Sequence, residues 1–149
     1  MEYESKPRSL MRKSSTDTLL GDLEVIQHIQ AGAVSHLPFS SAVVAGNFVF
    51  VSGQASVDPD TGSIITDGFA EEMRRSFDNL RRVLASADCK LQDVVNLRCY
   101  VDRQDRLEEY NRVFRDLVSP PYPSRTTIVG VLGKDSVKFE VDAVAYRSI

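Results

Sequence analysis

The sequence predicts an α+β domain: a mixed β-sheet with two helices packed on one face, in the order β-β-β-α-β-α-β-β. Two segments of 3.6-residue apolar periodicity, set among short runs rich in β-branched and aromatic residues, predict it. The chain's 149 residues suit a single domain. With 42% hydrophobic and 26% charged residues, it can build a core without disulfide or metal staples.

The first stretch, residues 1–22, stands apart. Lys6, Arg8, Arg12 and Lys13 balance Glu2, Glu4, Asp17 and Asp22, and apolar residues recur there at no fixed period. It reads as a mobile tail ahead of a domain over residues 23–149. The apolar core of a secretory signal is missing, and Glu2 and Glu4 count against a mitochondrial presequence. A cytoplasmic protein is expected.

Glu24 to Ile29 can form an edge strand, broken by Ala31-Gly32. Ala42-Val43-Val44 and Phe48 to Val51 flank Gly46-Asn47, a hairpin signal. Phe69 to Ser86 reads as a helix, with Met73, Phe77, Leu80 and Leu84 on one face and Asp67-Gly68 at its start. Val94 to Val101 returns to strand, with Val95, Leu97, Cys99 and Val101 expected to point inward. A second helix is expected from Arg106 to Val118. Asp105 and Glu108 have capping-box spacing, Leu107, Tyr110, Phe114 and Leu117 form the apolar stripe, and Pro120-Pro121-Tyr122-Pro123 ends it. Thr126 to Leu132 and Val137 to Tyr146 read as two closing strands around Gly133-Lys134-Asp135.

Phe48 to Val51 and Ile128 to Leu132 carry apolar residues on both strand faces, but two helices cover only one face of a sheet. The other face would expose an apolar patch, so self-association is expected. The competing accounts are that the tail folds over the sheet or that the strand assignment fails.

The net charge of 18 − 21 = −3 argues against a nucleic-acid surface. No apolar run approaches the ~20 residues that span a bilayer. Cys89, Cys99, His28 and His36 lack the spacing of a zinc site, and two reduced thiols suit a reducing compartment. There is no G-x-G-x-x-G, G-x-x-x-x-G-K, G-x-S-x-G or H-E-x-x-H.

Polar residues at positions patterned for burial are the remaining candidates. Arg125 follows a rigid Pro121-Tyr122-Pro123-Ser124 approach and offers a forked donor for a carboxylate, or simply pairs with a surface acid. Glu140 shares the polar face of the last strand with Lys138 and Asp142, as a catalytic acid or as part of a solvated face. Ser52-Gly53-Gln54 ends an apolar strand, where glycine admits a ligand to the backbone or marks a bulge. Asn111 lies inside a helix that it disfavours, for a functional reason or to bond a neighbouring loop.

Taken together, these residues resemble the Rid family, the reactive intermediate deaminases also called the YjgF family. The resemblance runs from about Glu24 to Tyr146 and is carried by Pro38-Phe39-Ser40-Ser41-Ala42-Val43, Phe50-Val51-Ser52-Gly53-Gln54 and Asp58-Pro59-Asp60-Thr61-Gly62. It continues through Asn79-Leu80, Tyr110-Asn111, Tyr122-Pro123-Ser124-Arg125-Thr126 and Val137-Lys138-Phe139-Glu140-Val141. It implies a chorismate-mutase-like, YjgF-like domain assembled as a homotrimer, with ligand sites in the clefts between subunits. It also implies hydrolysis of 2-imino acids, tautomers of 2-enamino acids such as 2-aminoacrylate, to 2-oxo acids and ammonia, without cofactor or metal.

Carried over residue by residue, Arg125 matches the arginine that grips the substrate carboxylate. Glu140 matches the glutamate that positions or activates the attacking water. Ser52 and Asn111 match polar lining residues, and Gly53 gives close backbone approach. Thr127 stands where many members have Cys, its backbone carbonyl being the expected contact. Phe39 stands where many deaminase-type members have Tyr, so a phenolic donor is missing and the preferred substrate is affected. Two alternatives remain. One is a non-catalytic trimeric small-molecule-binding regulator, which Phe39 favours. The other is a ribonuclease or translation inhibitor, which the charge and the absence of Trp oppose.

Overall fold

The computed structural model describes residues 26–148. The tail expected over residues 1–22 and the start of the strand expected from Glu24 therefore lie outside the described residues. Six strands form one sheet: β1 (Gln27–Ile29), β2 (Ala42–Ala45), β3 (Phe48–Ala55), β4 (Val94–Val101), β5 (Ser124–Val129) and β6 (Phe139–Tyr146). Two helices, α1 (Phe69–Ser86) and α2 (Leu107–Leu117), complete the expected order and the α+β class.

The sheet order is β1-β2-β3-β6-β4-β5. Gly46, at φ +59°, and Asn47 turn β2 tightly into antiparallel β3, as the hairpin signal predicts. The last two strands are not neighbours. β5 runs parallel to β4 at the sheet edge, with α2 as the crossover, while β6 inserts antiparallel between β3 and β4. β5 also begins and ends earlier than expected, leaving Gly130 to Leu132 outside the ladder.

Both helices pack on one face of the sheet. Met73, Phe77, Leu80 and Leu84 of α1 and Tyr110, Val113 and Phe114 of α2 bury against Leu97, Cys99, Val101, Phe139, Val141 and Ala143. Glu72 of α1 is fully buried, and Lys138 Nζ meets its Oε2 at 2.7 Å while donating to the Asp67 carbonyl. Lys138 thus ties β6 to α1 rather than joining the polar strand face expected for it. Asn79, also buried, donates to the carbonyls of Ala55 and Val57 and fixes the end of β3 over α1.

Two local expectations need correction. Val95 is exposed and Val94 is buried instead, because the β4–β6 register shifts between Val94 and Asn96 and resets the alternation. Asp105 and Glu108 form no capping box: Gln104–Arg106 is a turn of 3₁₀ helix, and Asp105 pairs with Arg103.

The opposite face of the sheet is open among the described residues. Phe48 and Phe50 stay 45% and 48% exposed there, beside half-buried Val144 and an edge-on Phe48–Tyr146 pair at 5.4 Å. Phe48 to Val51 stand as strand, so their outward face is apolar and open among the described residues. Gly130 to Leu132 instead leave the strand expected over Ile128 to Leu132, and the tail of the competing account lies outside the described residues.

Candidate active site

Strand alternation decides where each candidate residue goes. In the parallel β4–β5 ladder Arg125 sits beside Leu97 and Thr127 beside Cys99, placing both on the helix-covered face. In β6, Phe139, Val141, Ala143 and Ala145 take that face, so Glu140 and Asp142 take the open one. The structure therefore separates the two catalytic candidates. It builds two half-sites.

The first half-site surrounds Arg125. Its guanidinium lies 4.8 Å from the Tyr110 ring centroid and 4.5 Å from that of Phe114, and Nη2 donates to Asn111 Oδ1 at 2.9 Å. Arg125 forms no salt bridge among the described residues, which removes the surface-pair reading. Asn111 spends its side chain on this arginine rather than on a loop. The remaining guanidinium donors face a cavity of about 240 Å³ walled by Phe114, Arg115, Tyr122 and Pro123. Below it, Thr127 Oγ1 shares a 2.7 Å hydrogen bond with the Tyr110 hydroxyl, so its side chain is already engaged. Burial pushes the Cys99 thiol up to about 11 and, with Cys99 beside it, raises the Tyr110 phenol as well. Both stay neutral at pH 7. They line the wall beneath the arginine.

The second half-site surrounds Glu140. The β3–β6 register breaks between Val51 and Gln54, and the bulge presents Gly53 to the Glu140 carboxylate. A Cβ built on Gly53 would collide with Glu140 Oε1, so glycine is what lets the carboxylate occupy this position. Ser52 Oγ donates to the Ser40 carbonyl at 2.6 Å, and its amide donates to the Ser41 carbonyl at 3.0 Å, locking the bulge to the segment before β2. Phe39 heads that segment, and Gln30 Nε2 holds its carbonyl at 3.0 Å. Burial raises the Glu140 pKa, and the neighbouring Asp142 carboxylate raises it further. Asp142 is itself fixed by Arg98 Nε at 2.9 Å and by the Tyr100 hydroxyl at 2.8 Å. Among the described residues Glu140 has neither a side-chain hydrogen bond nor a salt bridge to stabilise its charged form. A carboxyl with its pKa raised in this way is a candidate for proton transfer.

Phe39, Ser52, Gly53 and Glu140 thus gather in one half-site, and Asn111, Arg125 and Thr127 in the other. The sequence reading missed the aromatic shelf of Tyr110 and Phe114, which it placed in the apolar stripe of the helix, and the Arg98 and Tyr100 contacts that fix Asp142, a residue it had already put on the face of Glu140. The first carried a readable signal, since aromatics at i and i+4 on the helix joined to the arginine's strand can flank its side chain. Among the described residues no group of three or more His, Cys, Asp or Glu side chains could hold a metal ion.

Comparison with known proteins gives a consistent picture. A family model described as "Endoribonuclease L-PSP" matches residues 30–147. A RutC family protein of Pyrococcus abyssi is 34% identical over 111 residues, covering 74% of this chain and 87% of the relative. A Homo sapiens protein named 2-iminobutanoate/2-iminopropanoate deaminase is 28% identical over 111 residues, covering 74% and 80%. The crystal structure of RidA from Psychrobacter sp. PAMC 21119 superposes with a TM-score of 0.74 at 29% identity, covering 80% of this chain and 98% of that one.

Proposed function

Since the chain belongs to the endoribonuclease L-PSP family, the YjgF/RidA/RutC family, we propose that it is a cofactor-independent deaminase hydrolysing 2-imino acids to 2-oxo acids and ammonia. The observation that carries this reading is Arg125, a guanidinium with no acidic partner among the described residues, set over two rings and bonded to an amide beside a cavity. That arrangement is pre-organised to bind a carboxylate. The deaminase names of the human and Dermatophagoides farinae relatives, each 28% identical, support the choice of reaction.

The chemistry asks little of the protein. An imine carbon is electrophilic, and more so when its nitrogen is protonated. Water adds its oxygen to that carbon as the C=N π pair moves to nitrogen. Proton transfer from oxygen to nitrogen then lets the C–N bond break, leaving the 2-oxo acid and ammonia. Arg125 holds the substrate carboxylate, and Glu140 orients the water and takes and returns the proton. Because these two residues occupy opposite faces of the sheet, a complete site needs Arg125 from one copy and Glu140 from another. The open apolar face around Phe48 and Phe50 supplies a surface for that assembly, which the family resemblance makes a homotrimer.

The test generates 2-iminopropanoate from alanine with an amino-acid oxidase and traps it with semicarbazide. Wild-type protein should suppress semicarbazone formation, and Arg125→Ala should not. Equal trapping with and without the wild-type protein would remove the deaminase reading and leave a binding role.

A further inference from the structure

The cavity of about 240 Å³ at Arg125 carries a second cation, Arg115. Arg115 stands four residues after Asn111 on α2, so the two share one side of the helix. Asn111 accepts its 2.9 Å hydrogen bond from Arg125, and that contact turns the same side of α2 toward β5. Both arginines line the cavity with Phe114, Tyr122 and Pro123, and no acidic side chain joins them there. Neither forms a salt bridge among the described residues, whereas Arg74, Arg75 and Arg81 of α1 each pair with an aspartate. Asp116, next to Arg115 in the chain, is turned to Arg74 at 3.6 Å.

A cation in the last turn also suits a helix end, which is one reason for a charge at Arg115. It does not explain why that charge shares an acid-free cavity with Arg125. Two guanidiniums facing one cavity repel each other unless an anion lies between them. A monocarboxylate neutralises one of the two. A dicarboxylate neutralises both, through charge-assisted hydrogen bonds from two forked donors. The volume lies below the roughly 300–1,000 Å³ of sites for drug-sized ligands, so the anion that fits has few heavy atoms.

We infer that Arg115 holds a second carboxylate of the substrate, and that the deaminase acts on 2-imino dicarboxylic acids such as those formed from glutamate and aspartate. The inference rests on the deaminase reading above and names its substrate class. Arg125 takes the carboxylate beside the imine carbon, and Arg115 takes the one at the end of the side chain. In the reacting form the iminium nitrogen faces Glu140 of a neighbouring copy, and those two charges cancel. Two guanidiniums then remain for two carboxylates.

The experiment feeds the full chain two imines made in place, one from L-glutamate by L-glutamate oxidase and one from L-norvaline by an L-amino-acid oxidase. Norvaline keeps the carbon chain of glutamate and lacks the end carboxylate. Semicarbazide trapping is the readout. A second charged contact favours its substrate by about tenfold or more, so the glutamate-to-norvaline ratio of kcat/KM should exceed about ten. Arg115 is exposed, so its substitution does not disturb the core. Arg115→Gln should bring the ratio down toward one, mainly by raising KM for the glutamate-derived imine, and Arg115→Lys, which keeps the charge, should restore part of it. A ratio at or below one, or a ratio that Arg115→Gln leaves unmoved, overturns the subsite while the deaminase stands. If neither imine is hydrolysed above the uncatalysed rate, the deaminase reading falls, and titration calorimetry decides the subsite by itself. Binding of 2-oxoglutarate about tenfold or more tighter than 2-oxopentanoate, with the difference lost in Arg115→Gln, keeps the dicarboxylate site. Equal binding overturns it.

Discussion

Arg125 and Glu140 lie on opposite faces of the same sheet, Arg125 against the rings of α2 and Glu140 over the bulge at Gly53. No side-chain rotation brings them to one substrate within a single chain. Under the proposed mechanism this separation requires two copies for activity, which gives a direct test. Arg125→Ala and Glu140→Gln should each be inactive alone. When they are unfolded together and refolded as a 1:1 mixture, about a quarter of the sites regain both groups, and activity should return to that fraction. If activity stays absent in the mixture, the two residues act within one copy or not in the same site.

In the proposed site Arg125 sets the affinity for the substrate carboxylate. Arg125 is exposed in a single chain. Once a substrate carboxylate and a neighbouring copy cover it in the proposed site, truncating it should cost roughly 2–5 kcal/mol, so Arg125→Ala should lower kcat/KM on the order of thirtyfold to several thousandfold. Arg125→Lys should recover little, because an ammonium can neither fork onto a carboxylate nor lie flat between Tyr110 and Phe114. The shelf should show separately. Phe114→Leu removes one cation–π contact, worth about 0.5–1 kcal/mol, and should raise KM a few-fold with kcat nearly unchanged. Steady-state kinetics on 2-iminopropanoate checks all three variants.

A side chain at Gly53 is expected to displace the Glu140 carboxylate rather than unfold the bulge. The Cβ of Gly53→Ala would occupy the space of the Glu140 carboxylate and displace it, while the bulge backbone itself sits in an ordinary conformation. The variant should fold with a melting temperature close to wild type and lose one or more orders of magnitude in kcat, as expected when a general base is misplaced. Paired thermal unfolding and kinetics would show it. A large fall in stability with catalysis intact would contradict the assignment.

The pH dependence follows from Glu140. Its pKa in the folded state is raised, first by burial and then by Asp142. As a base it must be ionised, so the acid limb of the kcat/KM profile should lie above the ordinary glutamate value of about 4.3. Asp142→Asn removes one raising charge and frees Arg98, so that limb should move to lower pH. Stability carries the opposite sense. A carboxyl whose folded-state pKa is raised contributes stability below its unfolded value and loses it as pH rises through the folded value. Glu140→Gln should therefore raise the melting temperature at pH 7, and the gap should close as the pH falls below about 4.

The Glu72–Lys138 pair should be structural. Lys138→Met leaves the buried Glu72 carboxylate without its cation and should cost about 3–5 kcal/mol in denaturant unfolding. The double variant Glu72→Leu with Lys138→Met should recover much of that loss, since it buries no charge. Non-recovery would mean that the ion pair specifies the packing of β6 on α1.

The α+β class, the element order and both helices follow from local chemistry: apolar spacing at 3.6 in Met73, Phe77, Leu80 and Leu84, Gly46-Asn47 at the hairpin, and prolines after α2. The unpartnered apolar face was equally visible, because alternation in Phe48 to Val51 depends on neighbouring residues alone. Sheet order was not. β6 inserts between β3 and β4, and β5 runs parallel at the edge, through pairings between residues far apart in the chain, which no local pattern encodes. The inward set of β4 was misread for a related reason, since one register shift at Val95 reverses the alternation and depends on β6. The same distinction divides the candidate site. Arg125, Glu140, Asn111 and the Ser52-Gly53 pair could be singled out one by one from residue type and position. Only the tertiary structure decided that they form two half-sites on opposite faces, with a flat aromatic shelf under one and a glycine bulge beside the other, because the face a side chain takes is set by the strands paired on either side of it.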